Sequence, residues 1–242
     1  MVRIIKVPGI NGLNKTKGCE KASNFIFESI KKIYSNEKGS IIDSENLEVQ
    51  EMSLELGDID KMNEQISSES SKLFENYSED KLVFLGGDHS ISFPLVKSFF
   101  ESVQEKKGEP CLIVFDAHPD LMPVTDKKAP SHEEWLRGLI EAGFPAENIL
   151  LVGVRNSDSK ENYFIKENGI KKIDMGQFLV SIEETCDYIM EFSQGRDLYF
   201  SLDIDVVDPV FAPGTYYTEV GGLTSRQMIY LLQRMSKIKN LK

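Results

Sequence analysis

Short apolar runs and longer stretches with apolar residues three and four apart alternate along almost the whole chain. Residues 3–7 read as a strand closed by Pro8-Gly9, and the polar residues 11–18 as a loop. Ala22, Phe25, Ile26, Ile30 and Ile33 then recur at helical spacing. Residues 35–46 read as an exposed connection, followed by a strand at 47–52 and a weaker helical pattern at 62–74 with Ile66 and Leu73 inward. From there the rhythm is regular, with strands expected at 82–85, 111–115, 149–152, 170–173 and 198–202. Helices are expected at about 91–103, 133–142, 160–167, 178–192 and 225–237. Strands that alternate with helices need right-handed crossovers, which give a mostly parallel sheet covered on both faces.

Composition changes this picture little. A chain of 242 residues, 40% hydrophobic and 28% charged, buries one large core and reads as a single domain, 1–242. A net charge of −11 disfavours nucleic acid or an anionic membrane as partner and is compatible with a small cationic substrate. Cys19, Cys111 and Cys186 are odd in number and form no CxxC pair, so a reducing, cytoplasmic setting is expected rather than a disulfide framework. The apolar part of the N-terminus is too short for a signal peptide, and no apolar run reaches membrane-spanning length.

Candidate chemistry changes it most. Three apolar strands run into polar clusters: Gly86-Gly87-Asp88-His89-Ser90, Asp116-Ala117-His118-Pro119-Asp120, and Asp203-Ile204-Asp205 followed by Asp208-Pro209. In an open parallel sheet, strand ends are where a site is built. Residues two apart on a strand share a face, so Asp203 and Asp205 repel each other unless cations neutralise them. Asp116, Asp120, Asp203 and Asp205 carry four negative charges when ionised. One divalent ion leaves about two of these uncompensated, whereas two ions balance them and leave room for a bridging hydroxide. Oxygen donors with two imidazoles favour a hard or borderline ion, so two Mn²⁺ are expected.

These clusters, together with Ser201 to Thr215 and Gly221-Gly222-Leu223-Thr224, resemble the signature motifs of the arginase/agmatinase (ureohydrolase) family. The resemblance implies a three-layer α/β/α sandwich with a mainly parallel sheet and a binuclear manganese site that hydrolyses a small guanidino or amidino compound. Carried over by position, His89, Asp116, Asp120 and Asp203 would hold one ion, and Asp116, His118, Asp203 and Asp205 the other, with Asp116 and Asp203 bridging. A metal-bridging hydroxide would attack the guanidinium carbon, with nearby acids, Asp120 among them, stabilising the intermediate. Urea and an amine would leave, and His132 is the candidate proton donor to the amine. The family's matching histidine often stands in Ser-His-Gly; the run here is Ser131-His132-Glu133-Glu134, which reads as a capping box placing His132 in the first helical turn. Asp158 matches a loop aspartate that binds the far end of the substrate, although Asp158 with Glu161 also has the capping-box pattern. Asp208 either orients a ligand or initiates a turn. The resemblance also implies a homo-oligomer, commonly a trimer or hexamer.

The match departs from the family in two places. The family's Gly-Thr-Gly-Thr-Pro segment is here Gly214-Thr215-Tyr216-Tyr217-Thr218-Glu219, which brings bulk to the expected site wall. The family continues beyond the helix expected at 225–237 into a strand, whose glutamate holds the guanidinium group, and a last helix. Because Lys242 ends this sequence, that strand and helix are expected to be missing and a sheet edge to lie open, with Glu219 the nearest acidic stand-in. Two alternatives follow. One is a metal-binding but catalytically incomplete subunit. The other is a mononuclear zinc hydrolase similar to deacetylases, against which the extra ligands His89, Asp120 and Asp205 argue.

Overall fold

The computed structural model describes residues 1–242, apart from the side chain of residue 45. Its elements run β1 (Val2–Val7), α1 (Ala22–Ile30), β2 (Glu48–Glu51), α2 (Ile59–Asn76), β3 (Lys81–Gly86), α3 (Ser92–Glu105), β4 (Pro110–Phe115) and α4 (Trp135–Glu141). They continue with β5 (Ile149–Val154), α5 (Ser159–Glu167), β6 (Lys171–Asp174), α6 (Met175–Val180), α7 (Ile182–Phe192), β7 (Asp197–Leu202) and α8 (Ser225–Met235). All named strand pairs are parallel. The fold is the α/β/α sandwich expected.

Alternation along the central strands shows the layering. Leu112 and Val114 of β4 face the core built on α2 and α3, while Cys111, Ile113 and Phe115 face a second core with Phe178, Ile189 and Leu231. In β5, Ile149 and Leu151 divide from Leu150 and Val152 in the same way. Both strands are buried along their whole length, which is why they read as unbroken apolar runs.

The strands form two sheets, ordered β2-β1-β3 and β6-β5-β4-β7. The outer edges of β3 and β7 face one cavity of about 310 Å³, lined by Phe84 and Gly86 on one side and by residues 199–202 on the other. Leu241 pairs in parallel with Leu198 at the foot of β7, where Leu198 N–H donates to Asn240 O and Lys242 N–H to Leu198 O.

Two local expectations change. The helix expected at 178–192 is two helices, because Ser181 is extended (φ −151°, ψ 97°) and caps α7 through Glu184 N–H. Residues 131–134 form a turn ahead of α4, so Ser131 is not a helix N-cap and His132 lies outside the first helical turn. Only half of that capping box forms, with the Glu134 carboxylate accepting from Ser131 N–H (3.0 Å). The same carboxylate also accepts from Thr125 Oγ1 (2.9 Å), which ties it to the preceding loop. No helix is long and apolar enough to cross a membrane among the described residues.

Candidate metal centre

The three polar clusters meet at the C-terminal ends of β3, β4 and β7. After β3 the chain passes so close to Gly9 that a Cβ on Gly87 would sit 2.0 Å from Gly9 O, so a glycine is required there. Asp88, buried, fixes the turn. It accepts from Asn11 N–H (2.9 Å), Thr16 Oγ1 (2.6 Å) and Ser90 N–H (3.1 Å), and a short helical turn at 89–91 then aims His89 inward.

After β4, His118 N–H donates to Asp116 Oδ1 (2.7 Å) and Ala117 N–H to Asp205 Oδ1 (3.0 Å), which binds the β4 loop to the β7 loop. Asp120 has φ 54°, a left-handed conformation uncommon outside glycine. It is held there by Trp135 Nε1–H donating to Asp120 Oδ2 (2.8 Å) and by Leu121 N–H donating to Glu161 Oε1 (2.9 Å). After β7, Asp205 N–H donates to Asp203 Oδ1 (2.8 Å), so the two carboxylates share one tight turn.

Two ligand-like groups result, His89 with Asp116 and Asp203, and Asp116 with His118 and Asp205, each with its donor atoms within 4.8 Å of one another. Asp116 belongs to both. His89 Nδ1 lies 2.9 Å from Asp116 Oδ2 and from Asp120 Oδ2, yet it is buried with no hydrogen bond aligned to it. Its Nε2 is within hydrogen-bonding distance of Ser201 Oγ (3.0 Å). His118 Nδ1 meets Asp205 Oδ2 at 2.9 Å, and its Nε2 lies 3.4 Å from Glu219 Oε1. In both histidines one nitrogen points at the carboxylates while the other is oriented from behind, as in ligating histidines.

The electrostatics without a cation are strained. Burial, followed by repulsion from Asp116, pushes the Asp120 carboxyl up to about 8 and also raises Asp205. Asp203 is raised by burial and by Asp205. Burial opposes the imidazolium of His118, but Asp116 and Asp205 more than offset it and raise the ring to about 11; His89 is likewise raised, by Asp116 and Asp120. Buried carboxylates whose ionised form is disfavoured by burial and by one another, and an orphaned imidazole nitrogen among them, fit a site for divalent cations.

His132 is buried in the wall of the same cavity, anchored by its backbone N–H to Asn11 O (3.3 Å), and neither ring nitrogen has a hydrogen-bond partner. Asp158 is exposed and is not among the cavity-lining residues. Its carboxylate accepts from Lys160 N–H (2.8 Å) and completes the capping box of α5 with Glu161. Glu219 stands behind His118 and accepts from Asn156 Nδ2 (2.8 Å), so it does not reach the cavity as a stand-in substrate anchor. Asp208 accepts from Val210 N–H (3.0 Å) and Gly221 N–H (2.7 Å), which makes it the organiser of its turn. Ser201, Trp135, Glu161 and Arg155 have supporting contacts that the sequence does not assign. Arg155 donates to the carbonyls of Asp205 and Glu219 (both 2.6 Å), joining the β7 loop to the 219–220 segment.

A family model described as the arginase family matches residues 1–242. The chain belongs to the arginase family. It is 33% identical to mitochondrial arginase 1 of Arabidopsis thaliana over 172 residues, covering 70% of this chain and 48% of that protein. It is 31% identical to an agmatinase of Bacillus subtilis over 153 residues, covering 63% of this chain and 49% of the other. The chain therefore spans about half the length of the curated relatives it matches. Among solved structures, formimidoylglutamase from Bacillus subtilis superposes with a TM-score of 0.84 at 22% identity, covering 98% of this chain and 75% of that one. Proclavaminate amidino hydrolase from Streptomyces clavuligerus gives 0.79 at 25% identity, covering 96% and 78%.

Proposed function

We propose that this chain is a binuclear manganese-dependent hydrolase of a small guanidino or amidino compound, agmatine and arginine being the first candidates, releasing urea and an amine. One observation carries the reading: two ligand-like groups share Asp116 and open into a cavity where buried His132 has both ring nitrogens free. His89, Asp116, Asp120 and Asp203 would hold one ion, and Asp116, His118, Asp203 and Asp205 the other. When bound, the ions activate water near neutral pH and stabilise negative charge. An oxygen-rich donor set favours manganese over zinc.

The chain's own residues supply the rest. The guanidino group enters between residues 199–205 and the wall containing His132, Tyr216 and Tyr217. As water adds to the guanidino carbon, the carbon–nitrogen bond to the amine breaks and His132 supplies the proton the departing nitrogen needs. Asp120, fixed by Trp135, would accept the proton lost from water. Two donor groups rather than one argue against a mononuclear zinc deacetylase-like site. Assembly as a trimer or hexamer and a cytoplasmic location accompany this reading.

The edges of β3 and, beyond its Leu198–Leu241 bridge, of β7 along the cavity favour a second reading, in which the chain binds metal but needs another strand there for turnover. Urea release from a panel of guanidino compounds, with metal content measured on the same Mn²⁺-loaded sample, separates them. Two ions with urea support the hydrolase. Two ions without urea support the incomplete subunit, and one ion overturns the binuclear site.

A further inference from the structure

The two side chains that add bulk near His132 touch each other. Tyr217 Oη donates to Glu133 Oε1 (3.1 Å) and accepts from Lys15 Nζ (3.0 Å). The Tyr217 ring stacks on the His132 imidazole, with centroids 5.6 Å apart and planes at 28°, and meets His118 edge-on at 6.0 Å. Thr215 Oγ1 donates to Tyr217 O (2.8 Å), fixing the loop that carries the ring. Glu133 Oε1 is 3.5 Å from His132 Nε2 without an aligned hydrogen bond.

A buried imidazole usually takes its orientation from a hydrogen bond at one nitrogen. His132 has none, so the face of Tyr217 is what sets its plane, and both nitrogens stay without a hydrogen-bond partner. A stacked aromatic contributes about 1 kcal/mol beyond its burial, sufficient to favour one ring orientation severalfold. The tyrosine is itself held from outside, because its hydroxyl bridges a lysine and a carboxylate from two separate segments.

We infer that Tyr217, locked at its hydroxyl by Glu133 and Lys15, is the positioning residue for His132. The inference rests on the proposed hydrolase only for its kinetic arm. The segment is half-exposed, so the ring can be replaced without opening either core.

The test uses the full chain loaded with diamagnetic Zn²⁺ and labelled at histidine; three histidines give a simple spectrum, and loss of a signal in His132→Asn assigns His132. Stacking predicts that the His132 ring protons are shifted by the aromatic ring current. Tyr217→Leu should remove that shift, whereas Tyr217→Phe, which keeps the ring but loses both hydroxyl contacts, should keep it in broadened or reduced form, and Glu133→Gly, which removes one of the two contacts, should reduce it less. On Mn²⁺-loaded chain Tyr217→Leu should lower kcat about tenfold or more with little change in KM, as for a misplaced catalytic group, and Tyr217→Phe should fall between Tyr217→Leu and the unaltered chain. An unchanged His132 spectrum in Tyr217→Leu overturns the inference whether or not the chain releases urea. A normal loss of shift in a chain that releases no urea leaves the positioning role standing and counts against the hydrolase reading alone.

Discussion

Ser201 Oγ lies 3.0 Å from His89 Nε2, and this contact crosses from one sheet to the other. Ser201 belongs to β7, whereas His89 follows β3, so a hydroxyl in one sheet orients a metal-facing imidazole carried by the other. Ser201→Ala should leave the fold intact and weaken the first ion about tenfold, the scale seen when an outer partner of a ligating histidine is lost. Titration of Mn²⁺ binding by calorimetry would check it, and unaltered affinity at both sites would remove the role.

Asp116 is shared by both donor groups, while Asp205 belongs to one. Asp116→Asn should abolish stable binding of both ions, and Asp205→Asn should leave one. Metal content after gel filtration reads the difference; equal losses in the two variants would count against a shared ligand.

His132→Asn should keep both ions and lose most turnover, on the order of a hundredfold or more for a general acid. Near-normal kcat in this variant would remove its assigned part in protonating the amine.

The raised acidities give a signed pH effect. Without cations, Asp120 is raised from 3.8 to about 8, so its contribution to stability is present below its unfolded value and lost as pH climbs toward 8. His118, raised from 6.5 to about 11, contributes fully below 6.5 and loses this as pH rises further. Chelator-stripped protein should therefore show a falling Tm as pH rises from about 5 to 9, and the gain in Tm on adding Mn²⁺ should grow over the same range, since metal displaces those protons. A stripped-protein Tm that climbs with pH contradicts this.

Arg155 bridges the Asp205 and Glu219 carbonyls. Arg155→Ala should cost about 2 kcal/mol, from charge-assisted bonds lost at a half-buried site, and lower affinity for the ion at His118 and Asp205. Urea unfolding of the metal-bound chain gives the first quantity. A change within about 0.5 kcal/mol would mean that the loops hold without it.

The sequence by itself determined the alternation of strands and helices, the parallel arrangement and the six candidate ligands, because each depends on periods of two and 3.6 residues or on chemistry at strand ends. It did not determine where His132 sits. Ser131 and Glu134 have the right spacing for a cap, but Glu134 is also claimed by Thr125, a partner that spacing along a helix does not reveal. The Asp158 carboxylate serves as a helix cap, which the local pattern had offered beside the site role. Tertiary structure alone decided that the strands divide into two sheets, that Ser201 reaches His89 across them, and that Tyr217 meets Glu133 over the imidazole of His132. The physical reason is distance along the chain: these partners are 84 to 112 residues apart, and short-range periodicity carries no information about which distant edges or loops come to share a cavity.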